Sequence, residues 1–528
     1  MRRLTPTLAE LVLSLAYLIA GCVVLAGLLL SGNVITGGEN AVAADQLQYL
    51  SWIVSASSGT VINSLWSLPA QTGSWFVHPG FSTSGLLVRA GVSPIVAYQL
   101  WKPVSLLMVC VSFALYVRRL LPEGGARTAG LALALFGLSP FGALIGWNSL
   151  ASGHGLQIQL EFAAGEVFAP SWQWGYMMTA IAVALMVFGL LAAETALRTE
   201  RNVRARVAAT MAAFFCSWLQ PWQGAELIAA IALCDLLRPA GDSRSGAIRR
   251  HAPVFVAGLL PLVYYRWLAG HEDVWELAGS ANNSIVLWSA GAWILTLGVY
   301  LPAVLAFRRK PADWQELALW LVPALMIGQY AAIAIARVGT FPFHAIQGIG
   351  LFLGILLVRG MLELRPSGWW AGHTWLAVVL CGMMCLPGTI HRVNLLRLDI
   401  QRSAQPYFLE PGEAEAISWL DSAEGSGGVL APIKAALSVP SKTGRPVWVG
   451  QISWTPRFRE RVAEAEMLFR GRLGASAARR LVVASGASFV YSDCGYRTDL
   501  RPLLGSIVAS VNRFGCASVY RIRSEVRS

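Results

Sequence analysis

Two carboxylates, Glu39 and Asp45, lie within TGGENAVAADQLQYLSWIVSASS at residues 36–58. This stretch directly follows the first long apolar run and opens on two glycines. Apolar residues at Leu47, Leu50, Ile53 and Val54 then recur at helical spacing, which lays one oily stripe along a helix. An enzyme acting on a lipid-borne substrate needs a general base where a membrane helix leaves the bilayer beside an interfacial helix. Asp45 stands at such a point. It also has a plain structural reading as the N-cap of a helix over 46–57, and the two roles are compatible.

Further polar residues fall at the same side of the bilayer, as the loop charges described below sort it. His78 lies in FVHPGF, and Lys102 precedes Pro103 within two turns of a span's outer end. Gln220, Trp222, Gln223 and Glu226 cluster around the turn in WLQPWQG. Arg266 is near the outer end of another span, followed by Glu272, Asp273 and Glu276. Arg337 opens RVGTFPFHAIQG, which contains His344 and Gln347. Ionisable groups inside spans are costly, so several at one depth point to function. Each has a competing reading. Arg266 and Lys102 can snorkel to the interface, as can Asp235 at the opposite end. His78 can be a turn residue, and the acids at 272–276 a solvated loop.

The elements that position these residues follow from composition. The 528 residues are 55% hydrophobic and only 13% charged, about half the charge of a typical soluble chain. Mean hydropathy is +0.54, and apolar runs of span length recur. The run at 8–30 is too long for a signal-peptide core and lacks a small-residue cleavage site, so it reads as a retained helix. Eleven spans are expected, at about 8–31, 95–117, 128–147, 172–195, 207–220, 225–237, 252–270, 285–306, 317–336, 345–363 and 372–390. Alternate connections are rich in arginine: Arg118, Arg119 and Arg127; Arg198 to Arg206; Arg238 to Arg250; Arg308 and Arg309; Arg359 and Arg365. The intervening loops hold almost none beyond Arg89 and Arg337. The positive-inside rule then puts the N-terminus in the cytoplasm and the last 138 residues outside a plasma membrane. The net charge of +12 sits largely in these short loops and implies no nucleic-acid partner.

The expected architecture is therefore a polytopic α-helical membrane protein of about 11 transmembrane helices with a C-terminal soluble α/β domain. The membrane domain covers 1–390, with a large first extracytoplasmic loop at 32–94, and the soluble domain covers 391–528. The stretch 207–237 carries basic residues at both ends, so two short half-helices meeting at Gln220–Gly224 fit the charge rule where a single helix does not. Pro221 and Gly224 break the helix there, giving either a tight hairpin or a re-entrant functional turn. In the tail, helical signals at 413–420, 457–468 and 475–481 alternate with β-rich runs at 428–431, 446–450, 487–491 and 517–522. Six of the eight cysteines lie in apolar runs and read as packing residues, Cys381 and Cys385 included. Cys494 and Cys516 are the tail's only cysteines, and an oxidising compartment would favour their disulfide.

No Walker loop, HExxH, paired CxxC or GxSxG elbow is present, which argues against an ATP-driven transporter and the commoner soluble-enzyme chemistries. A lipid-linked-sugar transporter or flippase is an alternative, but its charges would line a path across the midplane, and paired halves are absent. Eleven spans also exceed what an anchored assembly protein requires.

The segments ADQLQYLSWI, FVHPGF, WLQPWQG, GTFPFHAIQG and SKTGRPVWVGQISWTP, set in this architecture, resemble the GT-C superfamily of polyprenyl-phosphate-sugar-dependent glycosyltransferases. The look is nearest to actinobacterial-type integral membrane mannosyl- or arabinosyltransferases. The resemblance is architectural over the whole chain and motif-level only in those patches. It implies a first-loop acid acting as general base on an acceptor hydroxyl, with inversion at the anomeric carbon. That role falls to Asp45, with Glu39 second. It further implies that Arg337, Arg266, Lys102 and His344 contact the donor phosphate, while His78, Gln220, Trp222, Gln223 and Gln347 line the substrate cavity. The partners implied are a polyprenyl-phosphate sugar, membrane lipid, and a glycan, lipid or protein acceptor. Family members with paired acids in this loop differ from this chain, whose acids are six residues apart. No metal ligand is assigned, and a divalent cation is left open as the only cofactor. A sugar-lipid polymerase or ligase is the nearest enzymatic rival.

Overall fold

The computed structural model describes residues 6–39, 43–59, 61–63, 65–66, 68, 74–152, 167–198, 202–238, 243–283, 288–337, 341–364, 367–402, 405–425 and 427–526. The chain is a polytopic α-helical protein with small β-sheets, and its residues divide into two compact units. One comprises Met1–Val24, Trp101–Trp267 and Asn283–Leu395. The other gathers Leu25–Leu100, Leu268–Asn282 and Leu396–Ser528. The first loop and the segment after the seventh expected span thus join the tail, rather than leaving the chain cut once near residue 390.

Among the described residues, seven helical segments are long and apolar enough to cross a membrane: Leu8–Leu30, Pro94–Leu120, Met177–Arg198, Arg244–His271, Ala290–Arg308, Trp314–Ala336 and Pro342–Leu364. The other expected spans take different forms. The run at 128–147 divides into Gly125–Phe136 and Pro140–Ser152, because Pro140 has no N–H to continue the first helix. The last helix, Ser367–Arg402, runs a full twelve residues past the expected end at 390.

The stretch 207–237 forms two helices, Val203–Leu219 and Pro221–Leu237, interrupted only at Gln220. Gln220 takes an extended backbone (φ −146°, ψ 101°), and Pro221 begins the second helix, where its missing N–H costs nothing. The helices touch at Gly224. A Cβ there would lie 2.2 Å from the Ser217 hydroxyl, so only glycine permits the approach.

Within the helical unit, arginines of the expected cytoplasmic ends pair with acids from other helices. Arg118 meets Glu10 at 2.5 Å, Arg119 meets both Glu194 and Asp313 at 2.5 Å, and Arg359 meets Glu316 at 2.7 Å. These pairs hold at one end the helix termini that loop charge alone assigned to one side. Asp235 does not snorkel. It is fully buried, with Oδ2 2.7 Å from His251 Nδ1 and Oδ1 accepting from Trp314 Nε1 at 3.0 Å. His251 Nε2 lies 3.1 Å from the Ala193 carbonyl, so the carboxylate is paired rather than solvated and four helices share one polar node.

In the second unit, strand Val34–Ile35 pairs antiparallel with Phe408–Leu409. Thr36 continues the join, its N–H donating to the Tyr407 carbonyl (2.8 Å) and its hydroxyl to that of Pro406 (2.5 Å). Lys442 Nζ adds a bond to the Ile35 carbonyl (3.1 Å). The tail builds a four-stranded sheet in the spatial order Val429–Leu430, Phe489–Ser492, Ala517–Ile522 and Val508–Phe514, the first pair parallel and the others antiparallel. Helices Pro411–Ser422, Phe458–Phe469 and Ala475–Ser485 stand where the sequence places them. Two features depart from expectation. The run at 446–450 makes a single bridge, Val447 to Val429, instead of a strand, and a helix unassigned from sequence, Ile433–Thr443, precedes it. Cys494 and Cys516 are bonded across this domain, their Cα atoms 4.9 Å apart.

Candidate active site

The helix carrying Asp45 spans Ala43–Ser58, three residues longer at its start than the sequence periodicity suggests. Asp45 therefore lies inside the first turn rather than at the N-cap, where the helix dipole favours its negative charge. Gln451, from the tail's SKTGRPVWVGQISWTP patch, donates from Nε2 to Asp45 Oδ1 at 2.9 Å. The Gln451 amide is itself oriented, since its Oε1 accepts from the Ser453 N–H at 2.6 Å. Among the described residues Asp45 Oδ2 has no hydrogen-bond partner, and the side chain is only half-buried. One oxygen is thus held and the other is open to accept a proton. Surrounding protein strips solvent from the carboxyl and pushes its pKa above the ordinary 3.8, while the Gln451 bond pulls the other way. A carboxylate in this position is a stronger base than one in water.

Glu39 differs in access. It is 3% exposed, and its backbone N–H donates to Gln46 Oε1 at 2.7 Å. Gln46, fully buried, also bonds the Tyr98 hydroxyl, so this side of the loop is closed by a polar network. A base must be reached by its substrate, and exposure favours Asp45.

His78 is the N-cap of helix Pro79–Arg89. Its Nδ1 accepts from the Phe81 N–H at 3.4 Å, and its ring stacks on Phe81 with centroids 4.2 Å apart. That geometry is the turn-residue role. Nor do the acids at 272–276 form a solvated loop. Asp273 opens helix Asp273–Asn283, while Glu272 accepts from the Trp75 N–H (2.5 Å) and the Ser74 hydroxyl (2.9 Å).

The helical unit brings WLQPWQG and GTFPFHAIQG together. Gln223 Nε2 donates to the carbonyls of His344 (2.7 Å) and Gln347 (3.4 Å), and the Trp222 ring lies 4.5 Å from the His344 ring. Gln220 instead turns to the Thr179 hydroxyl, 3.1 Å away. Gln223 and Gln347 are buried, as is Glu226, whose carboxylate has no hydrogen-bond partner among the described residues.

The three cations part company. Lys102 is 1% exposed, and its Nζ donates to the carbonyls of Gly21 (3.1 Å) and Gln173 (2.7 Å). At least two of its three ammonium donors are used inside the helical unit, so Lys102 does not snorkel. Arg266 and Arg337 are exposed, and among the described residues neither meets an acid. Arg337 caps helix Trp314–Ala336 in a left-handed backbone (φ 50°), a conformation unusual for a residue with a Cβ.

Sequence reasoning did not single out Gln451, Gln46 or Gln173. Glutamine has no spacing signature, and Gln451 reaches Asp45 across 406 residues. The available signal was position: Gln46 lies in ADQLQYLSWI and Gln451 in SKTGRPVWVGQISWTP.

No protein-family model matches the chain, and no curated protein does. Among solved structures, ArnT from Cupriavidus metallidurans bound to undecaprenyl phosphate is similar with a TM-score of 0.47 at 12% identity, over 98% of each chain. The archaeal oligosaccharyltransferase AglB from Archaeoglobus fulgidus, in complex with an inhibitory peptide and a dolichol-phosphate, has a TM-score of 0.40 at 12% identity, over 97% of this chain and 74% of that one.

Proposed function

We propose that the chain is an inverting glycosyltransferase of the GT-C kind, moving a sugar from a polyprenyl-phosphate donor to an acceptor hydroxyl at the outer face of a plasma membrane. The observation that carries this reading is Asp45: a carboxylate in the first turn of the helix that follows the first apolar span, one oxygen fixed by Gln451 and the other open. Asp45 takes the proton of the acceptor hydroxyl as that oxygen bonds to the anomeric carbon. The bond from that carbon to the phosphate oxygen breaks on the opposite face, and its electron pair leaves with the polyprenyl phosphate. A positioned base contributes on the order of 10²–10⁴-fold to such a step. The departing phosphate gains charge, so cations there stabilise the transition state more than the ground state. Arg266 and Arg337 are assigned that role, and Glu39 stands second to Asp45 as base.

The topology proposed has the N-terminus in the cytoplasm, eleven crossings, and the tail outside. Its support is that 25–100, 268–282 and 396–528, placed on one side by loop charge, share one compact unit. The deciding experiment incubates purified protein with polyprenyl-phosphate arabinose, mannose and glucose and a panel of glycan, lipid and peptide acceptors, and looks for release of polyprenyl phosphate with transfer of the sugar to an acceptor. Transfer lost in Asp45→Asn at unchanged expression supports the reading. Transbilayer movement of the intact lipid without cleavage would replace it with a flippase.

A further inference from the structure

We propose that four aromatic rings in the second unit form a carbohydrate-binding subsite, which makes the acceptor a glycan of at least two sugars. The rings come from four separate places in the chain: Trp52 on the Asp45 helix, Phe76 in the loop that bridges to Ile62, Trp275 on helix Asp273–Asn283, and Trp454 in the tail. They close a circuit. Trp52 lies 5.3 Å from Trp454, Trp454 lies 5.4 Å from Trp275, Trp275 lies 5.0 Å from Phe76, and Phe76 lies 5.3 Å from Trp52. Each neighbouring pair stands nearly perpendicular, at 89°, 89°, 72° and 76° in the same order.

A packing core would bury all four. Here Trp52 and Phe76 are buried, whereas Trp275 and Trp454 stay half-exposed. The negative face of an indole attracts the electropositive C–H groups on one side of a sugar ring, so an exposed indole backed by perpendicular rings is a rigid stacking platform. The Trp454 indole N–H has no protein acceptor among the described residues and is open to a sugar hydroxyl.

The platform is in register with the proposed base. Asp45 and Trp52 are seven residues apart on one helix and hence on one face, about 10 Å apart along the axis. Gln451 and Trp454 are three apart in the tail, and the two segments touch at both places, Asp45 to Gln451 and Trp52 to Trp454. The two rungs are about two helical turns apart on the Asp45 helix, a reach on the scale of two sugar rings. The terminal sugar presents its hydroxyl to Asp45 while the preceding sugar lies on the indoles.

This inference rests on the transferase reading for the acceptor's role, but its test does not. Full-length protein in nanodiscs is titrated with neutral di- to tetrasaccharides of glucose, galactose, mannose and arabinose, followed by saturation-transfer NMR. Wild type should bind at least one oligomer more tightly than the matching monosaccharide. Trp454→Ala and Trp275→Ala should each weaken that binding by roughly ten-fold, and Trp454→Phe should recover part of it, with thermal unfolding checking that each variant is folded. Absence of binding by wild type to every oligomer, or equal binding by both alanine variants, overturns the inference. Wild type that binds oligosaccharides through these indoles but never transfers a sugar upholds the inference and overturns the transferase reading alone.

Discussion

Asp45→Asn isolates base chemistry from architecture. The asparagine carbonyl still accepts from Gln451 Nε2, as Oδ1 does at 2.9 Å, and the amide nitrogen fills the place of the open Oδ2. Shape and the tail contact survive, and the proton acceptor is gone. The expected loss in kcat is on the order of 10²–10⁴-fold, equivalent to about 3–5 kcal/mol of transition-state stabilisation. Stability should not fall. Burial raises the Asp45 pKa above 3.8, so the folded state holds that proton more tightly than the unfolded chain. The ionised carboxylate is then a cost to folding that is absent below the unfolded value and fully present above the folded one, and the amide removes it. If Asp45 is the base, activity should rise with pH as it loses its proton, and the same shift then sets the position of that limb. Gln451→Leu deletes the bond that lowers this pKa and should move the rising limb to higher pH. The assay is the initial rate of sugar transfer by purified protein from acid to neutral pH, with thermal unfolding alongside. Wild-type turnover by Asp45→Asn refutes the base assignment, and an unmoved limb in Gln451→Leu refutes the account of its pKa.

Other expectations are more local. Arg266→Ala and Arg337→Ala should each lower kcat by about 10²-fold if they neutralise the leaving phosphate, and unchanged kcat/KM for the donor would remove them from that role. His251→Ala leaves Asp235 buried without its closest partner and should cost on the order of 3–5 kcal/mol, read as a lowered unfolding midpoint in detergent; an unchanged midpoint would mean the node is not stabilising. Gly224→Val forces atoms into Ser217 and should destabilise the helix pair by about 1–3 kcal/mol, while near-wild-type stability would show that the helices can separate there. Ser476→Cys, exposed in the tail, should react with an impermeant thiol reagent on intact cells, and Ser245→Cys should not; the reverse pattern inverts the topology.

Much of the architecture was legible because it rests on strong, repetitive signals. Span length and arginine placement located the helices, and the ion pairs of Arg118, Arg119 and Arg359 gather the ends that charge alone had grouped. The break at Gln220 was readable from Pro221 and Gly224, since one lacks an N–H and the other a Cβ. Single polar residues were harder. Asp235 and Lys102 look alike in sequence as charged groups near span ends, yet both are buried against partners distant in the chain: His251 and Trp314 for one, the Gly21 and Gln173 carbonyls for the other. Snorkelling and burial differ only in what a neighbouring helix offers, which periodicity does not encode. His78 shows the converse. Its place just before Pro79 was consistent with a turn role, and the cap it forms is local. In the tail, the missed helix Ile433–Thr443 contains Pro440, which argues against helix by propensity but is accommodated near the C-terminus.

The pairing of Val34–Ile35 with Phe408–Leu409, together with the Asp45–Gln451 bond, bears on biosynthesis. The Asp45 helix leaves the ribosome early, hundreds of residues before the strand and the glutamine that hold it. Until translation passes residue 451, the carboxylate lacks its fixed partner and the loop its anchoring strand. A chain cut short before residue 451 can therefore insert its helices and still lack both the strand and the glutamine that hold the Asp45 helix.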